Sequence, residues 1–213
     1  MLGQPLIISP MLAKITSWLL LGFVRLLTGA QARWQGCPPK AEQRIYFANH
    51  QSHIDLVLMW AALPEELRSI TRPIAAKDYW TKTPFKRWIT TKIFNAIYVD
   101  RIKTADQDPL EPLIEALGNG DSIILFPEGT RGNLGEPQAF KSGLYNLALK
   151  FPDVVLVPAW INNVQRVMPK GEVVPVPILC SVTFGAPIKV ETDEERGAFL
   201  TRARHAVMAL RES

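Results

Sequence analysis

From residue 44 onward, short apolar runs alternate with stretches of helical pattern. Residues 45–48, 73–76, 96–99, 123–126, 154–157 and 178–184 are apolar and mostly β-prone. Helical patterns fill most of the gaps. Strands separated by helices pair in parallel through crossovers, so this rhythm restricts the chain to a layered α/β fold. The expected architecture is one layered domain: a mixed, largely parallel sheet flanked by helices. Asp108 and Pro109, with Glu111 three residues after Asp108, read as a helix start, and Gly118-Asn119-Gly120 as its end. Thr192-Asp193-Glu194-Glu195 matches a capping box for a last helix, which turns Phe199, Ala203, Ala206 and Leu210 to the core. Residues 173–177 are proline-rich and read as a loop. With 213 residues, 47% hydrophobic and 21% charged, the chain has the size and composition of one globular domain and not of a disordered segment.

The first 35 residues are expected to form a separate apolar unit, with the main domain spanning 36–213. Residues 1–30 are strongly apolar, yet Lys14 and Arg25 interrupt them, and Pro5 and Pro10 precede the best helix. No uncharged helical run reaches the length of a bilayer span. Lys14 and Arg25 stand eleven residues apart, nearly three helical turns, and so share a face. The pattern predicts a helix lying in a membrane interface, as a retained anchor. A secretory signal and a core helix are the rival readings.

Charge is uneven. Residues 77–103 carry seven basic residues (Lys77, Lys82, Lys86, Arg87, Lys92, Arg101, Lys103) against Asp78 and Asp100, more than the whole chain's net charge of +4. Tyr79, Trp80, Phe85 and Trp88 are interleaved with them. Basic and aromatic residues together suit an anionic membrane surface or an acidic protein. A solvated helix face is the plain alternative, and nucleic acid is not expected as a partner. Two cysteines, Cys37 and Cys180, lie far apart without a ligand motif. No metal site or disulfide framework is expected, and a reducing, cytoplasmic setting fits.

The chemistry gathers at strand exits, where open α/β sheets bind ligands. His50 follows the apolar run 45–48, and histidine is the natural general base near neutral pH. Asp55 is five residues on, about 140° away on a continuous helix, so the two meet only if a loop precedes the helix. A carboxylate there would fix the tautomer and stabilise the imidazolium. Ser52-x-x-Asp55 also reads as a capping box, which accounts for Asp55 without catalysis. His53 is an alternative base. Phe126-Pro127-Glu128-Gly129-Thr130-Arg131 follows a buried-strand pattern and reads as a turn presenting the planar fork of Arg131 to an anion. Arg101 and Lys77, each just past a strand, are further cations. Ser142, in Lys141-Ser142-Gly143, has no local partner base. No nucleophile elbow, metalloprotease helix or phosphate-binding loop motif is present in the sequence.

These residues resemble the glycerolipid acyltransferase family, the group of 1-acylglycerol-3-phosphate acyltransferases. Asn49-His50 to Asp55 is similar to its first block, Ile97-Tyr98-Val99-Asp100-Arg101 to its second, Phe126 to Arg131 to its third, and Val155-Leu156-Val157-Pro158 to its fourth. Gly132 departs from the serine that many members carry. The likeness spans roughly residues 44–165. It implies His50 as general base and Asp55 as its orienter. Lys77, Arg101 and Arg131 would hold the acceptor phosphate together with Gly129 and Thr130. Glu128 would bind glycerol hydroxyls or fix an arginine. The implied reaction is direct transfer of a fatty acyl group from acyl-CoA or acyl-acyl-carrier-protein to a lysophospholipid hydroxyl. No cofactor is implied beyond that co-substrate, and the setting is the cytoplasmic face of the membrane. Glycerol 3-phosphate, or another lysolipid including a lyso-aminolipid, is the alternative acceptor. A non-catalytic binding module is the rival of another class.

Overall fold

The computed structural model describes residues 11, 15–19, 21–22, 31–52, 54–100, 108–132, 136–162 and 180–211. Lys14, Arg25, His53, Arg101 and the proline-rich 173–177 lie outside the described residues. Seven strands form one sheet: β1 (Gln31–Trp34), β2 (Arg44–Ala48), β3 (Thr71–Ala76), β4 (Ile97–Val99), β5 (Ser122–Leu125), β6 (Val155–Asn162) and β7 (Ser181–Phe184). Their order is β1-β7-β6-β2-β5-β3-β4. Every pairing is parallel except β6 with β7, so the sheet is mixed and largely parallel, as expected.

The central strands are buried on both faces, which is why their sequences read as continuous apolar runs. Alternation then sorts the side chains. Tyr46 and Ala48 face a core layer built by α1 (Asp55–Ala62), α2 (Glu65–Ser69) and the segment through α3 (Lys77–Trp80), α4 (Pro84–Trp88) and a π-helical turn at Ile89–Ile93. Ile45 and Phe47 face the opposite layer, made by α5 (Glu111–Gly118), α6 (Gly143–Lys150) and α7 (Arg196–Met208).

Three details correct the sequence reading. Strand β1 falls inside the stretch assigned to the N-terminal unit. It pairs with β7 over Gln31–Trp34, so the sheet begins before residue 36. The four residues Gln-Ala-Arg-Trp carry no apolar run, because an edge strand is half exposed and needs none. Strand β6 runs past Pro158 to Asn162, pairing with β2 as far as Ala159 and, on its other edge, with β7 from Ala159 onward. In α7 the core positions are Phe199, Ala203 and Val207, with Leu210 buried just past its end and Ala206 only half-buried.

Residues 15–19 and 21–22 are helical. Leu21 packs into the α1-side core, whereas Ile15, Trp18 and Leu19 are exposed, Trp18 at 76%. Among the described residues no helix is long and apolar enough to cross a membrane.

Candidate active site

Sheet register sets out the site. Tyr46 pairs with Ile124, Pro73 with the same Ile124, and Ile74 with Ile97. Carrying these pairings past the strand ends puts His50, Glu128, Lys77 and Asp100 on one rung across β2, β5, β3 and β4. Neighbouring strands are about 4.8 Å apart, so the rung spans roughly 15 Å along the sheet's carboxyl edge.

The exit from β2 is fixed by Asn49. Its side-chain Oδ1 accepts from the Ile161 N–H at 2.8 Å, and its Nδ2 donates to the Ile161 carbonyl at 3.2 Å. The side-chain amide thus continues the ladder with β6 after the backbone has left it. The polypeptide is released into a loop at His50 while remaining anchored one residue earlier.

In that loop the His50 Nδ1 lies 2.8 Å from Asp55 Oδ2. The same oxygen accepts from the Gln51 and Ser52 backbone amides at 2.6 and 2.8 Å. Asp55 is the first residue of α1, with Ile54 at the cap position. The two readings of Asp55 therefore coincide in one atom: it closes the turn before the helix by accepting backbone amides, and it holds the imidazole. Three donors on one oxygen hold the carboxylate rigidly, and Asp55 is 1% exposed. A carboxylate can only accept, so Nδ1 carries the proton and Nε2 is left as the basic nitrogen. The ring is stacked on Phe126, with centroids 4.5 Å apart and planes 18° apart. The His50 side chain is 16% exposed, open on one side only.

Glu128 braces the loop that carries His50. Its Oε1 accepts from the His50 N–H at 2.7 Å and its Oε2 from the Gln138 N–H at 2.8 Å. At 2% exposure it is a buried brace between three segments rather than a surface carboxylate. Burial raises its pKa, while the Gln138 and His50 amide bonds act in the opposite direction. The Gly132 N–H donates to the His50 carbonyl at 2.8 Å, completing the clamp. A Cβ at Gly132 would stand 3.0 Å from Glu128 Oε2, so glycine leaves the brace undisturbed here.

Gly129, Thr130 and Arg131 form the exposed part of the turn after β5. Lys77 opens α3 on the same sheet edge, but its ammonium is engaged with Asp100 at 3.1 Å, both side chains being about half exposed. The structure thus brings His50, Asp55 and Glu128 into one hydrogen-bonded unit and sets Arg131 on the adjoining turn. Asn49, Gln138 and Gly132 were not singled out for a role by sequence reasoning. A signal existed only for Asn49, a polar residue closing an apolar run. Among the described residues no group of acidic, histidine or cysteine side chains is set to hold a metal.

A family model described as Acyltransferase matches residues 35–162, which include this whole site. The chain belongs to the Acyltransferase family. Among relatives of this acyltransferase, human 1-acyl-sn-glycerol-3-phosphate acyltransferase alpha is 28% identical over 200 residues, 90% of this chain and 68% of that protein. Taffazin from Dictyostelium discoideum is 30% identical over 145 residues, 62% of this chain and 49% of that protein. The fold is similar to the crystal structure of the 1-acyl-sn-glycerophosphate (LPA) acyltransferase PlsC from Thermotoga maritima, with a TM-score of 0.68 at 23% identity, over 93% of this chain and 80% of that one.

Proposed function

We propose that this acyltransferase moves a fatty acyl group from a thioester donor, acyl-CoA or acyl-acyl-carrier-protein, to the free hydroxyl of 1-acylglycerol 3-phosphate at the cytoplasmic face of a membrane. The observation that carries the reading is the 2.8 Å bond from His50 to a carboxylate already held by two backbone amides. The acceptor hydroxyl approaches Nε2, which takes its proton as the oxygen attacks the thioester carbonyl. Asp55 stabilises the imidazolium that forms. The tetrahedral intermediate collapses with loss of the thiolate, which recovers the proton from His50. One ester bond forms, one thioester bond breaks, and the imidazole returns to its starting state.

The choice of acceptor draws on two supports. Relatives over most of the chain carry the name 1-acyl-sn-glycerol-3-phosphate acyltransferase. Arg131 is exposed on the turn beside the base, as a phosphate-bearing acceptor requires. Membrane residence is supported by the exposed Ile15, Trp18 and Leu19. The test is the purified full chain with a panel of thioesters and acceptors, read by mass spectrometry of the product lipid. Phosphatidic acid forming faster than any other product is expected. Preferential acylation of glycerol 3-phosphate or of a lyso-aminolipid refutes this acceptor.

A further inference from the structure

A cation just ahead of α6, Lys141, packs over the turn after β5 and is not used by the mechanism above. Gly129 has φ +70°, the left-handed region that suits glycine. A second constraint falls on it from outside the turn. A Cβ built there would stand 2.5 Å from the Lys141 Nζ and 2.9 Å from its Cδ and Cε. The lysine stem therefore lies across the face of Gly129, in the space that every other residue would fill. Its backbone is fixed there as well, since the Lys141 N–H donates to the Pro127 carbonyl at 2.8 Å. Both ends of the side chain are thus placed by the same turn.

Other cations of the chain reach a carboxylate. Lys77 has Asp100 at 3.1 Å, and Arg204 has Glu136 at 2.8 Å. Lys141 is exposed, and among the described residues no carboxylate lies within ion-pair distance of it. Glu128, one residue away in the turn, spends both oxygens on backbone amides. Among the described residues the ammonium has no carboxylate partner, and it lies over Gly129, whose next two residues in the turn are the exposed Thr130 and Arg131. The Gly129 Cα is about 3.8 Å from the Cα of Glu128, the residue that braces the base.

We infer that Lys141 is a substrate-positioning residue: with Arg131 it binds a phosphate group of a reactant and so seats that reactant against His50. The two cations divide the work by shape. Arg131 offers a planar fork, and Lys141 a point charge held over the turn. The bare Cα of Gly129 is what allows the ammonium to sit so low. This inference rests on the acyl-transfer reading above. The phosphate has two sources in that reaction, the acceptor's monoester and the donor's phosphates, and kinetics separates them.

The experiment uses the full chain in mixed micelles, comparing wild type, Lys141→Met and Lys141→Arg. Lysophosphatidic acid is varied at fixed acyl-CoA, and acyl-CoA at fixed lysophosphatidic acid. Loss of one charge-assisted contact raises KM for the phosphate-bearing reactant by about ten-fold or more. Turnover at saturation stays within a few-fold, and Lys141→Arg recovers most of the loss. A rise confined to the acceptor assigns the ammonium to the acceptor phosphate, and a rise confined to the donor assigns it to the donor. Both KM values unchanged in Lys141→Met, or a fall in kcat only, overturns the inference. Wild type without transfer to lysophosphatidic acid refutes the acceptor reading itself, an outcome visible before any variant is compared. Matching thermal melts among the three proteins exclude a folding effect.

Discussion

Replacing Asp55 by asparagine separates the two jobs of the orienting carboxylate. In an exchange of this kind, much of the loss comes from an asparagine that turns its NH2 to the histidine and selects the wrong tautomer. Here that rotation is blocked. The Gln51 and Ser52 amides both point at Oδ2, 2.6 and 2.8 Å away. An NH2 in that position would face two N–H donors at once. Asparagine is therefore held with its oxygen toward the imidazole, and Nδ1 keeps its proton. Only the charge is lost. A unit charge about 4 Å from the imidazolium is worth at most about 4 kcal/mol at an effective dielectric of ~20. A charge-assisted bond exceeds a neutral one by about 1–2 kcal/mol. The expected fall in kcat is thus between roughly ten-fold and a thousand-fold. Asp55→Ala also frees the ring and strands the two amides, and should lose more than a thousand-fold. The NH2 of the asparagine takes the place of Oδ1, a buried atom without a partner among the described residues. That lowers stability by about 1–3 kcal/mol. The assay is single-turnover thiol release with product lipid quantified, at a temperature where both variants are folded. Equal rates for Asp55→Asn and Asp55→Ala would refute the argument that backbone amides fix the tautomer.

Glu128→Gln leaves one of the His50 and Gln138 amides facing an NH2, so urea unfolding should show a loss of about 1–3 kcal/mol, accompanied by slower turnover. Because burial raises the Glu128 pKa in the folded state, ionising it opposes folding. Its contribution is most favourable below the unfolded carboxyl pKa and declines as pH rises through the folded value. The stability advantage of wild type over Glu128→Gln should therefore be larger at pH ~4 than at pH ~7; the reverse trend would show that amide bonding outweighs desolvation. Asn49→Ala unpairs the Ile161 N–H and carbonyl and should cost about 2–4 kcal/mol in chemical denaturation. Gly129→Ala combines about 1–2 kcal/mol of left-handed strain with displacement of the Lys141 ammonium. It should lower the melting temperature and raise the same KM that Lys141→Met raises.

The parallel core of the sheet was legible because β2, β5 and the start of β6 are largely buried on both faces and read as apolar runs. Strand β1 was not, since an edge strand of Gln, Ala, Arg and Trp has no periodicity to detect. His50 and Asp55 were legible as a pair, but spacing left the aspartate divided between capping and catalysis. Only three-dimensional placement shows one oxygen serving both. The bracing contacts of Glu128 were not legible, because its partners are backbone amides far from it in sequence. Its burial arises from Gln138, ten residues later, and from His50, 78 residues earlier. Lys141 carries no sequence signal at all, because its significance comes from the missing side chain of Gly129.

The most direct test is His50→Ala, with acyl transfer to lysophosphatidic acid measured alongside the melting temperature. General-base assistance contributes about a hundred- to ten-thousand-fold. The variant should lose transfer by that factor while binding lysophosphatidic acid and melting close to wild type. Phosphatidic acid formed at the wild-type rate by folded His50→Ala would contradict the assignment of the base.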